Sequence, residues 1–359
     1  MNNIVMSANE LENCLTEEDN AFLKTLEMVY STLKKPGEAL LKAKSASEKK
    51  NAEDDITAIS KKIGHLLEDY VEKVPNLHVY SFETPREQHA SASRLISKLR
   101  SPFTEHDEFL YYIQRAYEML FTHTFCDREK TLKRSIITKT PVTNPFQAYA
   151  AHRIPDIDKQ IENSVMCVML RGALLPSMIV SKEIQEYSST GYTTPFELFK
   201  IKRDESKTEK TMDYLLDLDR SFFRLEEMDG KDLIFADPMN ATGGSLIAII
   251  KFLEKNKVKP RSIKFLNVIS ATKGCLRILR SIENIEIYTL WLDPLLNEMA
   301  YILPGLGDAG DRLNGKDTEG KERNMIKLMA DYGTSVVNLY RAQVAEIEKT
   351  VFTKGKAKI

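Results

Sequence analysis

Asp232-Leu-Ile-Phe-Ala-Asp-Pro-Met-Asn-Ala-Thr-Gly-Gly-Ser245 is an apolar run that ends in an acid and then passes through small residues. Asp232 to Ala236 is too short and too continuously apolar for an amphipathic helix, so it predicts a strand covered on both faces. Beyond Ser245, the residues Leu246, Ile247, Ile249, Ile250 and Leu253 recur at helical spacing, which predicts a helix over 245–256. The unit is therefore strand, small-residue turn, helix. Gly243 and Gly244 let the main chain turn tightly and approach a ligand. Free N–H groups at the helix start, with the hydroxyls of Thr242 and Ser245, can hold a phosphate dianion. Asp237 sits where a carboxylate can accept hydrogen bonds from a ribose diol. The loop is neither G-x-x-x-x-G-K-[ST] nor G-x-G-x-x-G, which speaks against a nucleoside-triphosphatase or a dinucleotide site. The bland alternative is a plain connection with Ser245 as N-cap.

Working outward, strand-length apolar runs occupy Val165 to Leu170, Phe196 to Ile201, Asp232 to Ala236, Ile263 to Ile269 and Glu286 to Trp291. Helical patterns fill 174–187, 245–256 and 272–283 between them. The alternation predicts an α/β fold with a doubly wound, mostly parallel sheet. Ligands then bind outside the carboxyl ends of the strands. The core is expected over about 164–317, with a closing C-terminal helix over about 321–347. Residues 1–74 read as a helical N-terminal extension that packs on a neighbour. Its first helix, Glu17 to Leu33, is broken by Pro36-Gly37, and a second carries Ile56, Ile59, Ile63, Leu66, Leu67 and Val71 on one stripe. Val74-Pro75-Asn76 marks the boundary to a main domain over 75–359. Leu77 to Ser81 alternates like a short strand. Thr104-Glu105-His106-Asp107 resembles an N-cap box opening a helix through Phe109, Leu110, Ile113 and Met119. Residues 126 to 163 read as irregular, with hairpin strands around Arg134 to Thr140.

A second small-residue loop follows the last strand: Tyr301-Ile-Leu-Pro-Gly-Leu-Gly-Asp-Ala-Gly-Asp-Arg312. With little side-chain bulk, its backbone N–H and C=O groups are available, and such groups can read a flat base. A Gly-rich surface turn is the alternative on composition alone. Arg171 and Arg203 each follow a predicted strand, where a cation faces a ligand more readily than a neighbour. The charged stretch from Asp204 to about Met228 reads as a flexible loop able to close over substrate, or as a plain solvated loop.

Ala236-Asp-Pro-Met-Asn-Ala-Thr-Gly-Gly-Ser245 resembles the motif by which type I phosphoribosyltransferases bind phosphoribosyl pyrophosphate (PRPP), and its Asp-Pro-Met form is typical of the uracil phosphoribosyltransferases. Tyr301 to Arg312 is similar to the uracil-binding loop of the same family. The resemblance covers roughly residues 80 to 316 and leaves the first 74 outside. It implies transfer of a phosphoribosyl group from PRPP to uracil, giving UMP and pyrophosphate in pyrimidine salvage. It assigns PRPP binding to Arg171, Arg203, Asp237, Pro238, Met239, Asn240, Ala241, Thr242, Gly243, Gly244, Ser245 and Asp308. Uracil binding falls to Tyr301, Ile302, Gly307, Asp308 and Ala309, and catalysis to Arg171, Arg203, Asp237 and Asp308. Mg²⁺ is implied as cofactor, held mainly by PRPP rather than by a protein metal site. Against the family pattern, Asn240 replaces a leucine and Lys202 a tyrosine. Leu170-Arg-Gly-Ala173 exchanges two residues of Leu-Arg-Ala-Gly, and Leu313-Asn-Gly-Lys316 lacks the usual aromatic residue and threonine. Two other readings remain open: a phosphoribosyltransferase for another base, and a non-catalytic PRPP or nucleotide sensor with the same fold.

The whole chain of 359 residues has a formal charge of −1, which gives no basic footprint for nucleic acid or a membrane surface. No apolar run approaches the ~20 residues of a membrane span, and Met1 to Glu10 lacks a signal-peptide pattern. Cys14, Cys126, Cys167 and Cys275 form no C-x-x-C pair, and the six histidines show no ligand spacing, so a reducing, cytoplasmic setting without a structural zinc is expected. PRPP and uracil are the expected small-molecule partners, and a homo-oligomer, a dimer or higher, is expected for this fold.

Overall fold

The predicted apolar runs become strands with their neighbours already in place. In a computed structural model that describes residues 3–126, 132–143, 148–315, 329 and 332–353, the chain begins with β1 (Asn3–Ser7), α1 (Asn9–Glu12), α2 (Glu17–Ser31), α3 (Lys34–Lys42) and α4 (Ala46–Val71). Then come β2 (Leu77–Val79), α5 (Tyr80–Glu83), α6 (Arg86–Arg100), α7 (His106–Phe121) and a hairpin of β3 (Lys133–Lys139) and β4 (Tyr149–Pro155). The central part runs α8 (Asp158–Ile161), β5 (Ser164–Leu170), α9 (Leu174–Tyr187), β6 (Phe196–Arg203), β7 (Asp213–Phe222), β8 (Asp232–Asn240) and α10 (Gly244–Lys255). It continues with β9 (Ser262–Ala271), α11 (Thr272–Ser281), β10 (Ile285–Asp293), β11 (Leu295–Leu296), β12 (Ile302–Leu303) and α12 (Ala309–Asn314). The described chain ends with α13 (Gly333–Leu339) and α14 (Arg341–Thr353).

One eight-stranded sheet has the order β1-β7-β6-β5-β8-β9-β10-β2. From β6 to β2 every pairing is parallel, while β7 and β1 add an antiparallel edge. Every residue of β5 is buried, as expected for a strand covered on both sides. Helices α7, α9 and α14 pack on one face, and α10 and α11 on the other, so the sheet is doubly wound. The fold class read from the sequence is therefore the one observed. The chain leaves β5 toward β6 and returns on the other side at β8, which makes the ends of β5 and β8 the point where strand order reverses.

Four local expectations need correction. The first residues are not all helical: Asn3–Ser7 pairs antiparallel with β7, with Val5 opposite Leu215. Pro36-Gly37 does not break the helical segment but lies inside α3, where Pro36 occupies its third residue. A proline is tolerated in a first turn because its missing N–H would have no partner there. Thr104 does not cap α7. The cap residue is Glu105, and the Thr104 hydroxyl donates to the Lys98 carbonyl at 2.6 Å. After Val79 the chain turns into α5 rather than extending to Ser81. The closing helix expected over 321–347 is observed as α13 and α14, while residues 321–328 lie outside the described residues.

The N-terminal helices are tied to α11 by a buried ionic group. Asp19, fully buried, is the third residue of α2 and completes a capping box with Thr16. Its two carboxylate oxygens also accept from Arg280 of α11, each at 3.0 Å, and from the Tyr70 hydroxyl of α4 at 2.7 Å. Burial works to raise the Asp19 pKa, but the bonds from Arg280, Tyr70 and Thr16 outweigh it and hold the carboxyl well below its usual range. Its contribution to stability is therefore present above the usual carboxylate pKa and is lost as pH falls below it. Asp19→Ala is expected to destabilise the fold by about 2–3 kcal/mol, less than for a fully enclosed pair because Arg280 is 36% exposed. Urea denaturation reads the effect, and an unchanged midpoint at neutral pH would refute this role.

Candidate active site

The carboxyl ends of β5, β6 and β8 and the start of α12 enclose a cleft of about 270 Å³. Arg171, Lys202, Arg203, Glu205, Asp237, Pro238, Met239, Asn240, Ala241, Thr242, Gly243, Ser245, Asp308 and Ala309 line it. The two loops singled out in the sequence therefore share one cavity. Gly244, Tyr301, Ile302 and Gly307 were also named as ligand residues but are not among its lining residues.

β8 runs four residues beyond the apolar stretch read as strand, so Asp237 lies within it, opposite Asn267 of β9. The Asn267 amide donates to the Asp237 carbonyl at 2.9 Å, and the Met239 N–H donates to Asp237 Oδ1 at 3.0 Å. Burial raises the Asp237 pKa to about 6, against the opposing pull of the Met239 N–H and the Arg203 cation. A cation or diol arriving at the cleft would favour its ionised form.

The turn after β8 is wedged between two helices. Gly243, not Ser245, is the N-cap of α10, with φ of +77°. A Cβ at Gly274 of α11 would lie 2.2 Å from the Ala241 carbonyl oxygen, and one at Gly243 would lie 2.8 Å from the Gly274 oxygen. Only glycines allow this approach. A Cβ at Gly244 would sit 2.1 Å from the Tyr214 ring. Gly244 thus makes room for an aromatic side chain of β7, and its own N–H donates to Thr242 Oγ1 at 3.4 Å.

Both cations are tied to the opposite loop. Arg171 donates to Asp311 Oδ1 at 2.7 Å and to the Gly315 carbonyl at 2.9 Å. Asp308 caps α12 by accepting from the Asp311 N–H at 2.9 Å. Arg203 donates to the Ala300 carbonyl at 3.3 Å, and its guanidinium carbon lies 6.0 Å from the Tyr301 ring centre. The charged stretch after Arg203 is not one long flexible loop. Glu209 is buried and paired with Lys273 at 2.9 Å and with Arg277 at 2.6 Å, while its N–H donates to the Glu298 carbonyl. From Asp213 the chain is strand β7.

The second loop is a small hairpin held at both ends. Leu296 of β11 pairs with Ile302 of β12, and Asn297 Oδ1 accepts from the N–H groups of Met299 and Tyr301 at 3.0 and 2.9 Å. Asp293 at the end of β10 accepts from the Gly305 N–H at 2.8 Å and from Arg100 of α6 at 2.5 Å. Burial raises the Asp293 pKa, opposed by Arg100 and the Gly305 N–H. Arg312 braces the far end, donating to the Leu306 and Ser101 carbonyls at 3.0 Å, over the Phe109 ring.

Residues 86–315 match the family profile described as uracil phosphoribosyltransferase. The chain belongs to the uracil phosphoribosyltransferase family. A uracil phosphoribosyltransferase of Polaromonas naphthalenivorans is 44% identical over 95 residues, which is 26% of this chain and 44% of that protein. One from Lactococcus lactis subsp. lactis is 42% identical over 113 residues, 32% of this chain and 50% of the relative. The chain thus spans about half the length, or less, of these curated relatives in the matched segments. The solved structure of the AQ2163 protein from Aquifex aeolicus is similar at 23% identity with a TM-score of 0.46, covering 64% of this chain and 97% of that one.

Sequence reading missed Lys202 and Glu205 as lining residues of the cleft, Tyr214 as the partner of Thr242, and the buried Glu209, Asp293 and Arg277. A signal existed for Tyr214. The run Asp213-Tyr-Leu-Leu-Asp-Leu-Asp219 alternates with Tyr214, Leu216 and Leu218 buried, but its acids made it read as loop. Arg277, fully buried at the centre of α11, had none.

Proposed function

We propose that this chain transfers the 5-phosphoribosyl group of PRPP to N1 of uracil. The C1–oxygen bond to pyrophosphate breaks, the C1–N1 bond forms, the N1 proton passes to the departing pyrophosphate or to water, and UMP and pyrophosphate leave. The observation that carries the reading is the common cavity: the Asp237–Ser245 turn and the Asp308–Ala309 turn line the same cleft. A sugar phosphate held by the first would have its anomeric carbon turned toward a base held by the second.

Residues 241–245 would hold the 5-phosphate through N–H groups and the hydroxyls of Thr242 and Ser245. Asp237 would accept from the ribose hydroxyls. Arg171 and Arg203 would exchange their present carboxylate and carbonyl partners for the pyrophosphate oxygens, which are stronger acceptors for a guanidinium. The backbone of Asp308 and Ala309, which line the cleft, with that of Ile302 and Gly307 beside it in the same loop, would read the uracil ring. Asp237 and Glu205 present hard oxygen donors to the cleft, which suits Mg²⁺ carried in on PRPP. That ion would neutralise charge on the departing pyrophosphate. Cationic charge at the anomeric carbon is met by placement and electrostatics, with no protein nucleophile. All four cysteines are thiols rather than disulfides, in keeping with a cytoplasmic enzyme.

The test is UMP formation from uracil, PRPP and Mg²⁺, run beside a panel of other bases scored for pyrophosphate release. Turnover with uracil well above the others is expected. Turnover with another base alone, or PRPP binding with no turnover on any base, would overturn the proposal.

A further inference from the structure

Tyr214 lies on β7, a strand outside the two ligand loops, yet its side chain is fully buried against the phosphate turn. The hydroxyl donates to Thr242 Oγ1 at 2.7 Å. The ring fills the space that the missing side chain of Gly244 leaves. A threonine hydroxyl has one proton to give and two lone pairs to offer. Tyr214 occupies one lone pair, and the Gly244 N–H approaches the other at 3.4 Å. The Thr242 proton is what remains, and Thr242 lines the cleft.

We infer that Tyr214 is a positioning residue that fixes the Thr242 hydroxyl as a hydrogen-bond donor toward a phosphate monoester bound in the turn. The inference rests on the phosphate-binding reading of residues 241–245 given above. Without Tyr214 the hydroxyl rotates, and its proton competes with its lone pairs for the ligand. A phosphate offers acceptors only, so orientation matters more for it than for a ligand with mixed groups. Burial raises the Tyr214 pKa, so the phenol keeps its proton, and with it the donor role, across the neutral range. The strand also carries the effect backward. β7 begins four residues after Glu209, whose ion pairs with Lys273 and Arg277 hold the approach to it.

Tyr214→Phe keeps the ring against Gly244 and removes only the hydroxyl. Calorimetric titration with ribose 5-phosphate and with PRPP is expected to give affinities about tenfold weaker for both, the scale of one hydrogen bond to a charged group. KM for PRPP should rise by a similar factor while kcat changes little, because the 5-phosphate is remote from the reacting carbon. The deciding readout is a double-mutant cycle. In a Thr242→Val background, Tyr214→Phe should cost no further affinity, whereas a merely structural tyrosine would weaken both backgrounds equally. Wild-type protein that binds ribose 5-phosphate while Tyr214→Phe binds it equally well would overturn the role of Tyr214 alone, as would additive losses. Wild-type protein that binds neither ribose 5-phosphate nor PRPP would overturn the phosphate-turn reading and this inference with it.

Discussion

Asp237→Asn is expected to make the protein more stable at neutral pH and to cut turnover by ~10²–10³-fold, the scale of removing one charged group from a developing charge. Both effects come from the same placement. Burial lifts the carboxyl from its ordinary 3.8 to about 6, so the folded protein holds this proton more tightly than the unfolded chain does. The wild type is then most stable below the unfolded-state value and loses that part of its stability as pH rises from about 4 to about 6. Asparagine has no proton to lose and escapes the loss, a gain of about 1–3 kcal/mol at pH 7. Urea denaturation of both proteins between pH 4 and 7 checks it. Turnover of the wild type should also fall on the acid side of about pH 6 as Asp237 is protonated. Parallel stability curves for the two proteins, or a variant with near-normal turnover, would contradict this account.

Gly274→Ala should weaken PRPP binding although Gly274 does not itself line the cleft. Its Cβ would lie 2.2 Å from the Ala241 carbonyl oxygen and 2.8 Å from the Ala241 carbonyl carbon. These are main-chain atoms, so no rotamer change relieves the overlap, and the turn itself must move. Displacement of a binding turn by about 1 Å can cost about a hundredfold in kcat/KM, and overpacking should cost about 1–3 kcal/mol of stability. Gly64→Ala is the control, because a Cβ there, within α4, meets nothing within 4 Å. It should stabilise the helix by about 0.5–1 kcal/mol and leave kinetics alone. Wild-type affinity for PRPP in Gly274→Ala would show that α11 does not set the turn.

The parts of the fold that were legible in the sequence obey one rule. β5, β8 and β9 lie inside the sheet, so apolar residues fill Val165 to Leu170 and dominate Ile263 to Ile269, where Lys264 and Asn267 are the exceptions, and the helices between them end close to where periodicity says. The candidate cleft was legible because small residues mark where main chain is exposed, and the two small-residue loops do line one cavity. What escaped depends on partners far away in the chain. β1 is a strand only because β7 offers it an edge, and β7 hides behind Asp213, Asp217 and Asp219, which lie on its outer face or at its solvent end. Arg277 and Asp19 are charges that are buried only because Glu209 and Arg280 meet them. Lone positions in a sequence carry no trace of such pairing.

The sheet is widest in hydrogen bonds where it is least accessible. Its interior strands run from seven to ten residues, while the two outermost, β1 and β2, have five and three. Without β1, the ten-residue β7 would present a long row of unpaired N–H and C=O groups, a template for another chain to join. Capping it with a strand half as long leaves little for a neighbouring molecule to extend. The N-terminal residues thereby shield the first half of that edge, Asp213 to Asp217, from edge-to-edge aggregation.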